Sequence, residues 1–168
     1  MKKKAIAIAP IPLSQKKFGL FGDVLETRNN DHLLINDGMC KRYDCLSEIT
    51  TDDGVGKPSI SIFRGKCYEL PLKLKLLERH PLGSQAFMPL HSNPFLVIVA
   101  KDAGDKPLTP KIFVTNGQQG INIKKNTWHG VLTPIISECD FLVIDRVGPG
   151  PNLEEFVLTQ EIIIKSIP

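Results

Sequence analysis

Apolar residues recur with a period of two in many short runs bounded by Gly, Pro, Asn and Asp, which is the pattern of half-buried β-strands. The runs predict strands over residues 5–9, 32–35, 59–64, 72–80, 86–90, 95–100, 111–115, 120–123, 127–134, 141–146 and 158–164. So many short strands predict an all-β fold, a sandwich or a barrel. A short helix is expected over 15–18, capped by Ser14 and broken by Gly19 and Gly22. Asn116-Gly117 has the residue types of a tight hairpin turn, so the strands on either side of it, 111–115 and 120–123, are expected to pair. The loops at 102–110 and 148–152 are too short to separate domains, and a single domain over 1–168 follows.

Composition narrows the class. A chain of 168 residues buries roughly 70% of its unfolded surface and needs no disulfide staples. With 42% apolar and 23% charged residues it is neither disordered nor of low complexity. The 21 Lys and Arg against 18 Asp and Glu are scattered apart from Lys2 to Lys4, so no nucleic-acid partner is expected. Met1 and the lysines precede Ala-Ile-Ala-Ile-Ala, but Pro10 and Pro12 cut that run short of a signal peptide; a first strand in a cytoplasmic protein is expected. No apolar stretch is long enough to span a membrane. Cys40, Cys45, Cys67 and Cys139 form no CxxC pair or zinc spacing and are expected to be reduced, mostly buried thiols.

Chemistry concentrates in Leu72-Lys-Leu-Lys-Leu-Leu-Glu-Arg-His80. Strand alternation puts Leu72, Leu74, Leu76, Glu78 and His80 on one face, a carboxylate and an imidazole at the mouth of an apolar interior. The competing expectation ends the strand at Leu77 and leaves Glu78 to His80 in an exposed turn before Pro81 and Gly83. Gln85 to Pro89 alternates again and is expected to return beside the first strand, with Gln85 facing Glu78 and His80. Arg79, on the opposite face, is expected at the surface or in a dimer contact. His32 and His91 are read as solvated, and Phe87, Leu96 and Ile98 as core.

Glu78-x-His80-x4-Gln85 resembles the first metal-binding motif of the cupin superfamily, and Asn126-Thr-Trp-His129 echoes the second. Taken with Phe18-Gly-x-x-Gly22-Asp-Val-x-Glu26, the block from Glu78 to Pro89, Thr115-Asn-Gly-x-Gln-Gly120 and Asp140-Phe-Leu-x-Ile-Asp-Arg146, the chain resembles the ureidoglycolate lyase family along nearly its whole length. The resemblance implies a cupin-like β-barrel or jelly roll with one or two short helices, usually a homodimer. It also implies cleavage of ureidoglycolate into glyoxylate and urea in allantoin breakdown.

Such an elimination needs a base for the hydroxyl proton, an acid or hydrogen bond for the departing nitrogen, and a cation for the carboxylate. His80 and His129 are the acid and base candidates in either order, with Glu78 orienting an imidazole or acting as base. Gln85 suits the ureido group, and Arg64 and Arg146 suit the carboxylate. The alternatives leave His129 merely packed, Arg64 at the surface and Arg146 paired with Asp145. Glu78, His80 and His129 also make a metal site, in which neutral Gln85 is a poorer fourth ligand; binding is expected to be weak or optional, with nickel implied by the family and Mn or Zn also suited. Two rival functions remain open at this point: a metal-dependent amidohydrolase releasing ammonia and carbon dioxide, and a non-catalytic ligand-binding cupin module.

Overall fold

The computed structural model describes residues 4–28, 30–51 and 54–167, so Lys2 and Lys3 of the basic start lie outside the described residues. Along the chain come β1 (Ile6–Ile8), β2 (Ile11–Pro12), α1 (Gln15–Phe18), β3 (Gly22–Leu25), β4 (Leu33–Ile35), β5 (Cys40–Arg42), β6 (Lys57–Gly65), β7 (Leu72–Arg79) and β8 (Gln85–Pro89). They are followed by β9 (Phe95–Ala100), β10 (Lys111–Val114), β11 (Gly120–Ile123), β12 (Trp128–His129), β13 (Thr133–Pro134), β14 (Cys139–Val147) and β15 (Glu154–Ile164). A large sheet runs in the order β1-β15-β7-β12-β9-β10-β2, with β13 also on β9; a smaller one runs β3-β11-β8-β14-β6; β4 and β5 pair separately. The fold is all-β, and the large sheet curls against the smaller one as in a cupin-like β-barrel.

Two apolar clusters hold it. The first is shared by both sheets: Phe95, Val97, Val99 and Phe113 from the large one meet Phe87, Ile121, Ile123, Phe141 and Val143 from the small one. The second belongs to the large sheet and takes its other face, including Leu74, Leu77, Leu96, Ile98, Trp128 and Ile164. β9 serves both, which is why all six of its residues are apolar and buried.

Most predicted strands form within a residue or two, and four expectations need correction. The run 127–134 is split into β12 and β13 by a one-residue shift of register against β9, from His129 opposite Val99 to Thr133 opposite Leu96, with Gly130 between them still donating its N–H to Ile98 O at 2.9 Å. β10 and β11 do not pair: β10 joins β9 and β2, while β11 joins β3 and β8. Asn116-Gly117 does turn tightly, with Gly117 at φ 85° and Asn116 Oδ1 accepting the Gln118 N–H, but it turns the chain from one sheet to the other. Gly117 also lies so close to Ser92 that a Cβ there would meet the Ser92 carbonyl oxygen. β7 and β8 likewise lie in different sheets and form no hairpin. Ser14 occupies the helix N-cap, but its hydroxyl makes no cap; its carbonyl accepts from Lys17 and Phe18. The short strands β2, β3 and β5 carry too little pattern to have been legible.

The strict alternation expected in β7 also breaks. Residues 158–161 of β15 have no partner in β7, so the register jumps between Leu74 and Leu76, and Leu74 joins Leu77 in the second cluster. Leu76, Glu78 and His80 keep a common face, and Leu74 does not share it.

Arg79 is not a surface residue. Its side chain is 7% exposed, and its guanidinium binds Glu154 Oε2 through Nε at 2.7 Å, Asp105 at 3.0 Å and Asp102 at 3.4 Å, and lies 4.4 Å from the centre of the Trp128 ring. Burial opposes the charge, and the hydrogen bonds and charges of Asp105, Glu154 and Asp102 more than offset it, so its pKa is raised. Trp128 Nε1 donates to Asp102 at 3.0 Å, closing a network over β7, β12, β15 and the loop after β9. Arg79→Met is expected to lower unfolding free energy by about 2–3 kcal/mol, less than a fully buried pair because the carboxylates stay partly solvated. Chemical denaturation checks this, and an unchanged midpoint would show that the network carries no stability.

Candidate active site

Three connections at one end of the barrel cross between the sheets: 80–84 from β7 to β8, 124–127 from β11 to β12, and 148–153 from β14 to β15. They are stitched together. Asn126 N–H donates to His80 O at 2.8 Å, and Leu82 N–H donates to Asn152 Oδ1 at 2.8 Å. Strand ends that are far apart in sequence therefore meet at this end.

His129 pairs across the large sheet with Glu78 on one side and Val99 on the other. Directly opposed residues share a face, and Val99 belongs to the cluster between the sheets, so Glu78 and His129 point inward. His80, two residues beyond Glu78, joins them: the two imidazole centres are 5.1 Å apart at 43°. His129 Nδ1 lies 3.9 Å from Glu78 Oε1. Donor atoms of Glu78, His80 and His129 all fall within 4.8 Å of one another. The alternative of an exposed turn at 78–80 is thereby excluded.

Each imidazole is held by a backbone carbonyl, His80 Nδ1 to Asn152 O at 2.7 Å and His129 Nδ1 to Gly130 O at 3.0 Å. A carbonyl only accepts, so Nδ1 carries the hydrogen and Nε2 of the neutral ring presents its lone pair. Both Nε2 atoms are buried with no hydrogen-bond partner among the described residues. Fully buried, His129 has its pKa pushed down to about 4, by desolvation first and by His80 as well, against the Gly130 hydrogen bond. Glu78 is raised, chiefly by burial and also by Glu155, while His80 pulls it down. This donor set fits a divalent cation: two imidazoles whose far nitrogens are fixed by carbonyls, and one carboxylate.

Gln85 lies on the other sheet. It pairs with Ile123 and precedes Phe87 by two, both in the inner cluster, so it faces inward. Its Nε2 contacts Asp145 Oδ2 at 3.4 Å. The two arginines do not join the cluster. Arg64 is exposed at the far end of β6, with Nε and Nη2 bound to Asp140 at 2.7 and 2.9 Å. Arg146 follows inward-facing Asp145 and so points out, buried beside Gly56, Gly83 and Gly148 with Nη2 donating to Pro149 O at 2.7 Å. It does not pair with Asp145, because successive strand residues take opposite faces.

Other expectations change too. His91 is half-buried, edge-on to Phe141 at 4.7 Å, and burial lowers its pKa, whereas His32 is exposed beside Tyr43, in keeping with its reading as solvated. All four cysteines are free, but Cys45 and Cys67 are exposed and only Cys139 is buried. Sequence reasoning missed Asn152, which acts through a backbone carbonyl and leaves no mark on composition. It also passed over Asp145, although Phe141, Val143 and Asp145 repeat the same inward alternation that singled out Glu78.

The chain matches the family model for ureidoglycolate lyase over residues 5–165. It is 50% identical over 145 residues to a ureidoglycolate lyase of Chelativorans sp. (strain BNC1), covering 86% of this chain and 88% of the relative. It is 50% identical to ureidoglycolate lyase 2 of Rhizobium meliloti, with 86% and 88% covered, and 45% identical to a ureidoglycolate lyase of Pseudomonas putida (strain F1), with 89% and 90% covered.

The depressed pKa of His129 predicts acid lability. Between 6.5 and about 4 the unfolded chain binds a proton that the folded state refuses, so stability falls as pH falls through that window. The loss by pH 4 is about 3 kcal/mol. Glu78, raised in the fold, acts in the opposite direction over its own range, so the difference between variants is the readout. Melting followed against pH should show a shallower acid limb in His129→Gln than in the parent, and parallel limbs would contradict the buried neutral imidazole.

Proposed function

The chain belongs to the ureidoglycolate lyase family and is a lyase acting on ureidoglycolate, and from that premise we propose that Glu78, His80, His129 and Gln85 surround the carbon from which urea departs. The observation that carries this reading is the pair of converging imidazoles, each held through Nδ1 and each offering a buried Nε2 without a protein partner.

Ureidoglycolate is a carbinolamine: its hydroxyl carbon also bears a carboxylate and a ureido nitrogen. The O–H bond breaks, a C=O forms, the C–N bond breaks, and a proton reaches the departing nitrogen, so glyoxylate and urea account for every atom. His80 Nε2 takes the hydroxyl proton and passes it to the urea nitrogen, with Glu78 beside it as counter-charge to the transient imidazolium. His129, held neutral by burial, is a weak proton carrier; its Nε2 accepts a hydrogen bond and orients the substrate. Gln85 meets the ureido group from the opposite sheet. A divalent cation, when bound, would be held by Glu78 and the same two Nε2 atoms and would supply polarisation of the developing carbonyl oxygen and attraction for the carboxylate, so proton transfer through His80 belongs to the metal-free site. We take its binding as weak or optional, since the fourth neighbour is the neutral amide of Gln85, and nickel is the occupant carried over from the family.

The reading further includes one cupin-like domain, a homodimer, a cytoplasmic setting and a place in allantoin degradation. The core shared between the sheets supports the first. Ile60, Ile62 and Met88, exposed on the outer face of the small sheet by its edge strand β6, give a second copy an apolar surface to cover. Four free thiols suit a reducing compartment, and no helix among the described residues is long and apolar enough to cross a membrane.

Two predictions test this. The purified protein should convert ureidoglycolate to glyoxylate and urea in equal amounts, and His80→Ala should lose at least a hundredfold in kcat while still melting cooperatively; ammonia as the first nitrogen product, or parental turnover in the variant, contradicts the reading. Exhaustive chelation, followed by metal analysis and assay, should leave measurable activity; complete loss restored only by nickel would overturn optional binding.

A further inference from the structure

The inward face of the small sheet carries a polar pair of which the reaction described above uses one half. Val143 and Phe87 are directly paired across β14 and β8, so the next inward positions along the two strands, Asp145 and Gln85, stand side by side. Gln85 is 6% exposed, lies among inner-cluster residues, and has its Nε2 at 3.4 Å from Asp145 Oδ2. Its Oε1 is buried with no hydrogen-bond partner among the described residues.

A carboxylate accepts hydrogen bonds and does not donate them, so Asp145 decides which end of the Gln85 amide turns toward it. The nitrogen faces Asp145, and the oxygen is left for whatever enters the site. A buried acceptor without a donor is costly, on the order of 1–3 kcal/mol, so the site favours a ligand that brings N–H groups. A terminal ureido group brings three. On the premise that the chain eliminates urea from ureidoglycolate, we propose that Asp145 is a positioning residue that fixes Gln85 as an acceptor for the N–H groups of the ureido end, and thereby sets the preference for an unsubstituted urea leaving group. The N–H donors are present in substrate, transition state and product alike, so the contact lowers KM and product dissociation together and leaves kcat nearly untouched.

Asp145→Asn tests this, because an Asn amide can donate as well as accept and lets the Gln85 amide turn over. The expected result is a KM for ureidoglycolate raised about tenfold with kcat within about threefold of the parent. Inhibition by urea at non-denaturing concentrations should weaken by the same factor, and inhibition by glyoxylate, which carries no N–H, should not change. Should that variant fail to fold, Gln85→Met removes the acceptor directly and should give the same split between urea and glyoxylate. Urea and glyoxylate inhibition weakened alike, or neither weakened, overturns the assignment. Such a result leaves the lyase reading standing, since that rests on the products the parent enzyme releases.

Discussion

A guanidinium buried behind the active face is the interaction on which the site depends. Arg79 lies between Glu78 and His80 in sequence, and strand alternation sends it to the opposite side of β7 from both. Its ligands come from β15 and from the loop after β9, and its aromatic partner is the residue next to His129. One planar cation with donors along its edge thus ties together the strands that carry the two imidazoles. A lysine has neither the fork nor the flat face to satisfy Glu154 and Trp128 at once. The inner face inherits its geometry from this outer contact, since Glu78 and His80 cannot shift without moving the residue between them.

On the inner side the same burial has a different result. Charge is tolerated behind the sheet because three carboxylates answer it, whereas between the sheets burial and the neighbouring His80 hold the His129 pKa down, with Glu78 no nearer than 3.9 Å. Glu78 sits between these limits, pushed toward protonation by burial and held back by His80. The two inner faces are therefore unequal: ring nitrogens and one carboxylate on the large sheet, and an amide beside a second carboxylate on the small one. In the proposed reading, the first face handles the proton that moves from oxygen to nitrogen and the second holds the group that leaves.

Much of this was legible in the chain. Short apolar runs between turn residues marked β9, β10 and β11 nearly to the residue, because strands between the two clusters are buried on one or both faces. Period-two alternation put Glu78 and His80 on a common inward face. It failed where pairing overrides pattern: residues 158–161 of β15 shift the register against β7 and move Leu74 to the other cluster, and a one-residue register shift against β9 splits 127–134 in two. Arg64 and Arg146 suited a carboxylate by type, but one is satisfied by Asp140 across the strand pair and the other packs under glycine loops on the outer face.

Residue type and local spacing determined the all-β class, the apolar core positions, the Glu78 and His80 face, and the family likeness, because each depends on neighbours within a few residues. The tertiary structure alone decided that 80–84, 124–127 and 148–153 all cross between sheets at the same end of the barrel. From that follow the meeting of His80 with His129 and the Asn152 carbonyl that orients one imidazole, while the strand pairing of the small sheet sets Gln85 beside Asp145. Contacts between strand ends so distant in sequence are set by which strands pair, and pairing is chosen by the burial of whole faces, a property of the assembled barrel that no short window of sequence contains.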